Sequence, residues 1–377
     1  MRPDLQRLVE QATALTRAGR LHDATDVIQR ALGGGGAGIG PQARAAADVI
    51  DVEAREVPTP DGEAMPALAP AGPRSSEPRA AEAPASSPRG APAAGTAESF
   101  ERGRHGGAGA AGRDYRLYVP PDAAAQPRPL LVMLHGCTQD ADDFAAGTRM
   151  NALAREHGCY VLYPIQSRQA NPQHCWNWFK HTHQQRERGE PALLAGMVRA
   201  VMATHAIDPS RIYVAGLSAG GAMAAILGRT HPDLFAAVGV HSGLPAGAAR
   251  DLPSALEAMK QGAPAVPSPG GADALPTIVF HGTAERTVHP RNGEQVVQGF
   301  GTPVEEQVVP APGGRRATRR VWRDANGAVR AEHWRIDGAP HAWSGGSTEG
   351  SYTDPRGPDA SAEMLRFFLA HPKPAAR

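Results

Sequence analysis

The stretch "IYVAGLSAGGAMAAIL", residues 212–227, decides how the chain is read. Its first residues look like a buried strand, and its last residues like a helix. Between them lies "GLSAG", residues 216–220, a G-x-S-x-G match followed by a third glycine, Gly221. The pattern alone is common. A strand before it and a helix after it make it a nucleophile elbow. Gly216 and Gly220 leave room for a sharp turn, which pushes Ser218 out above the sheet. The backbone N–H of Ala219 then sits at a helix N-terminus, aimed at an oxyanion. The competing reading, a serine in an ordinary Gly-rich turn, leaves the flanking elements unexplained.

Working outward, strand-like and helix-like segments alternate. "RDYRLYVP" (113–120) reads as a strand, and "RPLLVMLHG" (128–136) is the continuous apolar run of a doubly buried one. "ADDFAAGTRMNALAREHG" reads as one helix, "CYVLYPIQ" as a strand and "PALLAGMVRAVMATHAI" as a helix. Beyond the elbow, "AAVGVHSG", "LPTIVFHG" and "AVRAEHWRID" are strands. "NGEQVVQGF" and "DASAEMLRFFLAH" are helices. This order predicts an α/β domain over 113–377 with a mostly parallel central sheet and helices on both faces. Residues 244–274 read as a cap-like insertion carrying one helix. Upstream, residues 1–32 show apolar spacing for a helical hairpin broken at Gly19. Residues 33–112 are Ala/Pro/Gly-rich and read as a disordered linker.

The 377 residues carry a net charge of +1, which argues against nucleic acid as a partner. No apolar run is long enough for a membrane span, and the N-terminus lacks the apolar core of a signal peptide. The three cysteines, Cys137, Cys159 and Cys175, match no zinc spacing and read as reduced thiols, at least one of them buried. No metal site is expected.

A serine hydroxyl needs a base, and behind an elbow the order along the chain is Ser, acid, His. "GAPHAWSGG" (338–346) supplies His341 in a loop at a strand end. "HGTAERTV" (281–288) follows another strand and offers one carboxylate, Glu285. Asp337, four residues before His341, is the rival acid, and Glu285 is preferred because it lies just past a strand's carboxyl end. A glutamate can serve, since the acid has only to accept from Nδ1 and stabilise the imidazolium. The second oxyanion donor belongs in "LHGCTQD" (134–140), on the N–H of Cys137 or Thr138.

These segments, with "NPQHCWNWF" and "VGVHSGLP", together resemble the poly(3-hydroxybutyrate) depolymerase family of esterases, relatives of feruloyl and acetylxylan esterases. The resemblance covers about 115–370. It implies an α/β-hydrolase fold and ester hydrolysis without a cofactor. Ser218 and His341 match the family's nucleophile and base. The family's H-G-x-x-D-x-x-V pattern has Glu285 in place of its aspartate. The resemblance also suggests that Trp176 and Trp178 of "CWNWF" hold an apolar substrate face, and Trp343 beside His341 is grouped with them. Core packing is the competing reading for each ring. A Cys137–Cys175 disulfide is left open, conditional on an oxidising compartment.

The leading expectation is a serine esterase acting on poly(3-hydroxybutyrate) or short-chain hydroxyalkanoate esters. A feruloyl or acetylxylan esterase is the alternative within the class. Outside it stands a granule- or partner-binding protein, tethered or self-associated through the N-terminal hairpin, with a non-essential hydrolase domain. The family implies an extracellular enzyme, whereas the missing signal peptide points to the cytoplasm.

Overall fold

Residues 128–134, RPLLVML, send their side chains alternately to two buried faces. Leu130, Val132 and Leu134 join one core, Leu131 and Met133 the other. Ile212 and Val214 against Tyr213, Ala215 and Leu217 repeat the division. Such doubly buried strands sit at the centre of a parallel sheet with helices on both sides. In the computed structural model, the residues described are 97–106, 112–264, 274–310 and 313–374. The hairpin expected at 1–32, and the linker as far as residue 96, lie outside them.

In chain order the strands of the main sheet are β1 (Ser99–His105), β2 (Arg113–Val119), β3 (Arg128–Leu134), β4 (Tyr160–Pro164), β5 (Ile207–Leu217), β6 (Ala237–His241), β7 (Thr277–Gly282), β8 (Glu305–Pro310), β9 (Arg316–Arg323) and β10 (Val329–Ile336). Their spatial order is β1-β2-β4-β3-β5-β6-β7-β10-β9-β8. From β4 to β10 every neighbouring pair is parallel. β1, β2, β8 and β9 add antiparallel margins. The order reverses at β3, with β4 on one side and β5 on the other. Ligands of open α/β sheets bind beyond the strands' carboxyl ends at such a switch point. The loops leaving β3 and β5 are those of Cys137 and Ser218.

The helices are α1 (Ala141–Thr148), α2 (Met150–His157), α3 (Gly189–Thr204), α4 (Ala219–Thr230), α5 (Leu252–Gln261), α6 (Arg291–Val297) and α7 (Ala360–Leu369). α3 and α4 supply Leu194, Val198, Met223 and Leu227 to one core. α1, α2 and α7 supply Phe144, Met150, Met364 and Phe368 to the other. No helix of the described residues is long and apolar enough to cross a membrane.

Three expectations need correction. The single helix over 141–158 is two, because Arg149 takes a left-handed φ of 54°, and its guanidinium bonds the Gly345 carbonyl and Asp359. The linker does not run to 112, since Ser99–His105 pairs along β2. Phe100 there packs edge-on against Tyr163, and Gly103 leaves room for the Tyr115 ring, whose atoms a Cβ would overlap at 2.2 Å. Finally, β8 and β9 add strands that the sequence reading did not anticipate.

Within the insertion, α5 forms as expected; residues 265–273 are outside the described set. α5 docks on the segment that follows the Glu285 loop. His289 N–H donates to the Met259 carbonyl at 2.7 Å, and Asn292 Nδ2 to the Ala258 carbonyl at 2.8 Å.

Candidate active site

The turn between β5 and α4 holds Ser218 at φ 57°, ψ −118°, with no side-chain cap bond. Only glycines permit it. A Cβ on Gly216 would lie 2.4 Å from the Gly220 carbonyl carbon, and one on Gly220 2.0 Å from the Leu134 oxygen. The Ser218 N–H donates to the His241 carbonyl at 2.9 Å, tying the turn to the end of β6. A non-glycine residue in this conformation stores strain of about 1–3 kcal/mol.

Glu285 follows β7, and its side chain is fully buried. The backbone that carries it is pinned to the end of β10 by Thr283 N–H to the Ile336 carbonyl (2.9 Å) and Ala284 N–H to that of Ala339 (3.2 Å). Oε1 of Glu285 accepts from Val288 N–H at 2.9 Å and stands 2.6 Å from His341 Nδ1. Oε2 lies 3.2 Å from His281 Nε2, which aims its proton at the Val288 carbonyl instead, at 2.8 Å. Oε2 therefore lies against the His281 ring edge without a hydrogen bond. The rival, Asp337, is half exposed. Its carboxylate faces Arg316 at 3.9 Å, not His341.

Buried histidines frame the pair. His241 is stacked between Phe280 and Trp343, and its Nε2 accepts from Ser344 N–H at 3.0 Å. The ring therefore carries its proton on Nδ1 and anchors the His341 loop as a neutral acceptor. Burial holds its pKa well below the usual imidazole range. Burial also lowers His281, against the opposing pull of Glu285.

The loop after β3 is held from two sides. Gly136 N–H donates to Gln139 Oε1 at 2.9 Å, while Gln139 Nε2 donates to Asp143 and to the Ser351 carbonyl. His135, pushed down to about 4 by burial, is neutral; its Nδ1–H donates to the Gly136 carbonyl and its Nε2 accepts from Gln166 N–H. Of the two N–H groups proposed from sequence, Thr138 donates to the Gln173 carbonyl at 2.7 Å. Among the described residues, those of Cys137 and Ala219 donate to no protein acceptor.

Cys137 is bonded to Cys175, so the reduced-thiol reading survives only for buried Cys159. The disulfide ties the β3 loop to the 170s loop, and behind it lies a network that sequence reasoning missed. Buried Glu190 accepts from Asn177 N–H and Asn177 Nδ2, both at 2.7 Å, and from Gln166 Nε2. Gln166 Nε2 also donates to the Cys175 carbonyl. Burial pushes the Glu190 carboxyl up, but His183 with Gln166 and Asn177 outweighs it and holds the group below the ordinary range. The signal in the sequence was a lone acid opening an otherwise apolar helix.

The tryptophans are placed mainly by packing. Trp176 is fully buried, its indole N–H on the His135 carbonyl at 3.1 Å. Trp343 is 1 % exposed, bonded to Ser361 and edge-on to Phe144. Neither has surface to offer a ligand, which corrects the expectation for both. Trp178 retains 5 %. Tyr352, which the sequence reading passed over, is 45 % exposed beside His341, with the rings 6.4 Å apart.

A mostly parallel sheet with a reversal at β3 and a strained serine elbow at the adjacent strand end defines an α/β-hydrolase. An acetyl xylan esterase from Aspergillus awamori shares the fold, with a TM-score of 0.55 at 19 % identity over 68 % of this chain and 94 % of that one. The family model described as esterase PHB depolymerase matches residues 113–322, more than half of the chain, and the chain belongs to that family. Among its relatives is poly(3-hydroxyalkanoate) depolymerase C of Paucimonas lemoignei, 35 % identical over 239 residues, covering 59 % of this chain and 57 % of the relative. Poly(3-hydroxybutyrate) depolymerase of Ralstonia pickettii is 30 % identical over 256 residues, covering 61 % and 52 %. Feruloyl esterase B of Neurospora crassa is 31 % identical over 191 residues, covering 46 % and 64 %. The chain thus spans little more than half the length of the two depolymerases.

Proposed function

We propose that this chain is a serine esterase in which Ser218 is the nucleophile, His341 the general base and Glu285 the acid. The observation that carries the reading is the 2.6 Å contact between His341 Nδ1 and buried Glu285, on loops that leave the carboxyl ends of parallel strands, as the strained Ser218 turn does. The carboxylate fixes the proton on Nδ1, leaving Nε2 to take the proton of Ser218 Oγ. Oγ attacks the ester carbonyl carbon, and its electron pair forms the new C–O bond. The carbonyl pair moves onto oxygen, held by the N–H groups of Ala219 and Cys137. Collapse expels the alcohol, which takes the proton from His341. Water then repeats the sequence on the acyl-enzyme, releasing the acid and free Ser218.

The substrate class we assign is poly(3-hydroxybutyrate) or short-chain hydroxyalkanoate esters, supported by the 35 % relative named as a poly(3-hydroxyalkanoate) depolymerase. The Cys137–Cys175 disulfide supports an oxidising compartment as the place of action. Turnover of p-nitrophenyl esters and clearing of a polyhydroxybutyrate suspension test the reading, with a feruloyl ester as comparison. Ser218→Ala is expected to abolish all activity. Retention would refute the nucleophile, and feruloyl release without clearing would move the substrate class.

A further inference from the structure

Tyr352 is an aromatic residue that the fold neither buries nor relaxes. Its φ is 52°, a left-handed backbone that suits glycine or asparagine, and 45 % of it faces solvent. The cost is not recovered by burial, so the surrounding hydrogen bonds must impose it. They do so from two loops. On one side, Trp343 N–H donates to the Tyr352 carbonyl at 2.6 Å, where Trp343–Ser344 (β11) pairs with Thr353–Asp354 (β12). On the other side, Ser351 N–H and Oγ donate to Asp143 at 2.7 and 2.6 Å, and Gln139 Nε2 donates to the Ser351 carbonyl. Tyr352 is thus clamped between the loop of His341 and the loop of Cys137.

The side chain bridges the same two loops. The Thr138 hydroxyl donates to the Cys137 carbonyl at 2.6 Å, so the 3.0 Å contact between Thr138 Oγ1 and the Tyr352 hydroxyl has tyrosine as donor. Thr138 itself is left-handed, at φ 65°. The ring stands nearly perpendicular to His341, at 76°. A base that takes the serine proton must return it to the departing oxygen, so the alcohol portion of an ester lies against the exposed edge of the His341 ring. The fold holds the Tyr352 ring next to His341, the two centroids 6.4 Å apart.

From this we infer that Tyr352 is the leaving-group wall of the site and selects esters whose alcohol portion is large and apolar enough to lie on its face. The hydroxyl bond to Thr138 sets the ring's angle. The inference rests on the assignment of Ser218 and His341 above, and it deepens that assignment by naming which half of the ester the protein reads here. A hydroxyacyl chain leaving by its terminal hydroxyl is such an alcohol, whereas methanol is not.

The test varies the two halves of the ester separately, in the full chain. One series holds the acyl group at butyrate and compares the methyl ester with the ester formed on the hydroxyl of methyl 3-hydroxybutyrate, whose carboxyl is capped. The other holds p-nitrophenol and lengthens the acyl chain. Tyr352→Ala, and Tyr352→Asn, which tolerates the left-handed backbone, are compared with the parent and with Tyr352→Phe. In both truncations the ratio of kcat/KM for the large alcohol over methanol is expected to fall about tenfold. The shape of the acyl-chain profile should stay the same. Tyr352→Phe, which keeps the face and loses the tie to Thr138, should hold the ratio within about threefold. An equal fall for both alcohols, or a changed acyl profile at constant alcohol ratio, overturns the inference. Ser218→Ala run alongside separates the failures: activity surviving it removes the underlying assignment, whereas a flat alcohol ratio with Ser218→Ala inactive removes only the role of Tyr352.

Discussion

Replacing Glu285 by glutamine tests the proposed acid more sharply than alanine does, because the two carboxylate oxygens do different work. Oε1 accepts from Val288 N–H and faces His341 Nδ1. Oε2 meets only the ring edge of His281, without a hydrogen bond. In the amide, the Val288 donor draws the oxygen to the Oε1 position, so the His341 tautomer is retained. What is lost is the negative charge beside the imidazolium that forms in the transition state. Two unit charges about 4 Å apart at an effective dielectric of about 20 interact by roughly 4 kcal/mol. That corresponds to a fall in kcat of about a thousandfold. Were the amide to turn its NH₂ toward His341, the tautomer would be lost too, and the fall would approach about 10⁴. Glu285→Asp withdraws the carboxylate by about 1.5 Å from a contact of 2.6 Å and should lose activity as well. Saturating p-nitrophenyl butyrate gives kcat, with thermal unfolding to confirm that each variant folds. A Glu285→Gln enzyme within tenfold of the parent, beside an Asp337→Asn enzyme slowed a hundredfold, would refute the assignment.

Three further outcomes follow from the surrounding structure. Reduction of the disulfide, or Cys175→Ser, opens a loop of 38 residues and should cost about 4 kcal/mol in urea denaturation. It should also slow turnover by less than the hundredfold of losing an oxyanion donor outright; unchanged stability and rate in 10 mM dithiothreitol (roughly a working concentration for exchange) would contradict it. Acid should destabilise the fold well before the carboxylates protonate. His135 and His333 are pushed down to about 4 and about 3, so below the ordinary imidazole value the unfolded chain binds protons that the folded one refuses. Stability is then lost as the pH falls from about 6.5 toward 4, by about 2 kcal/mol per histidine between pH 7 and pH 5, and a flat profile there would count against neutral burial. Glu190→Gln turns an NH₂ toward one of three donors, for about 1–3 kcal/mol; an unshifted denaturation midpoint would show the network to be slack.

The parts of the fold legible in the sequence were those whose surroundings are uniform. β3 and β5 are buried on both faces, so their apolar runs had one reading, and the glycines at 216, 220 and 221 had no conformational substitute. The marginal strands had no such signature. β8 is largely exposed and β9 carries four arginines, so neither showed a run or a clean alternation. β1 is a short edge segment entered from an Ala/Gly/Arg-rich stretch. Side-chain destinations were harder still. Nothing local distinguishes Trp343, enclosed by His241 and Phe144, from Tyr352, held outward nine residues later. The difference comes from hydrogen bonds across 196 to 214 positions of sequence, such as Arg149 to the Gly345 carbonyl and Tyr352 to Thr138.

The glutamate at position 285 is best understood together with the position of the loop that carries it. The distance from residue 285 to His341 is set by backbone, since Thr283 and Ala284 donate to the carbonyls of Ile336 and Ala339, within five residues of His341. The approach is close enough that a Cβ on Gly282 would lie 2.2 Å from the Ala339 oxygen. A loop pinned this way cannot slide to accommodate a shorter acid without giving up those bonds. The longer side chain also lets Oε1 double back to Val288 N–H, so the carboxylate is held at both ends of its own loop before it reaches the histidine. Side-chain length and loop position are therefore fitted to each other in this chain, and the sequence showed only the first of them.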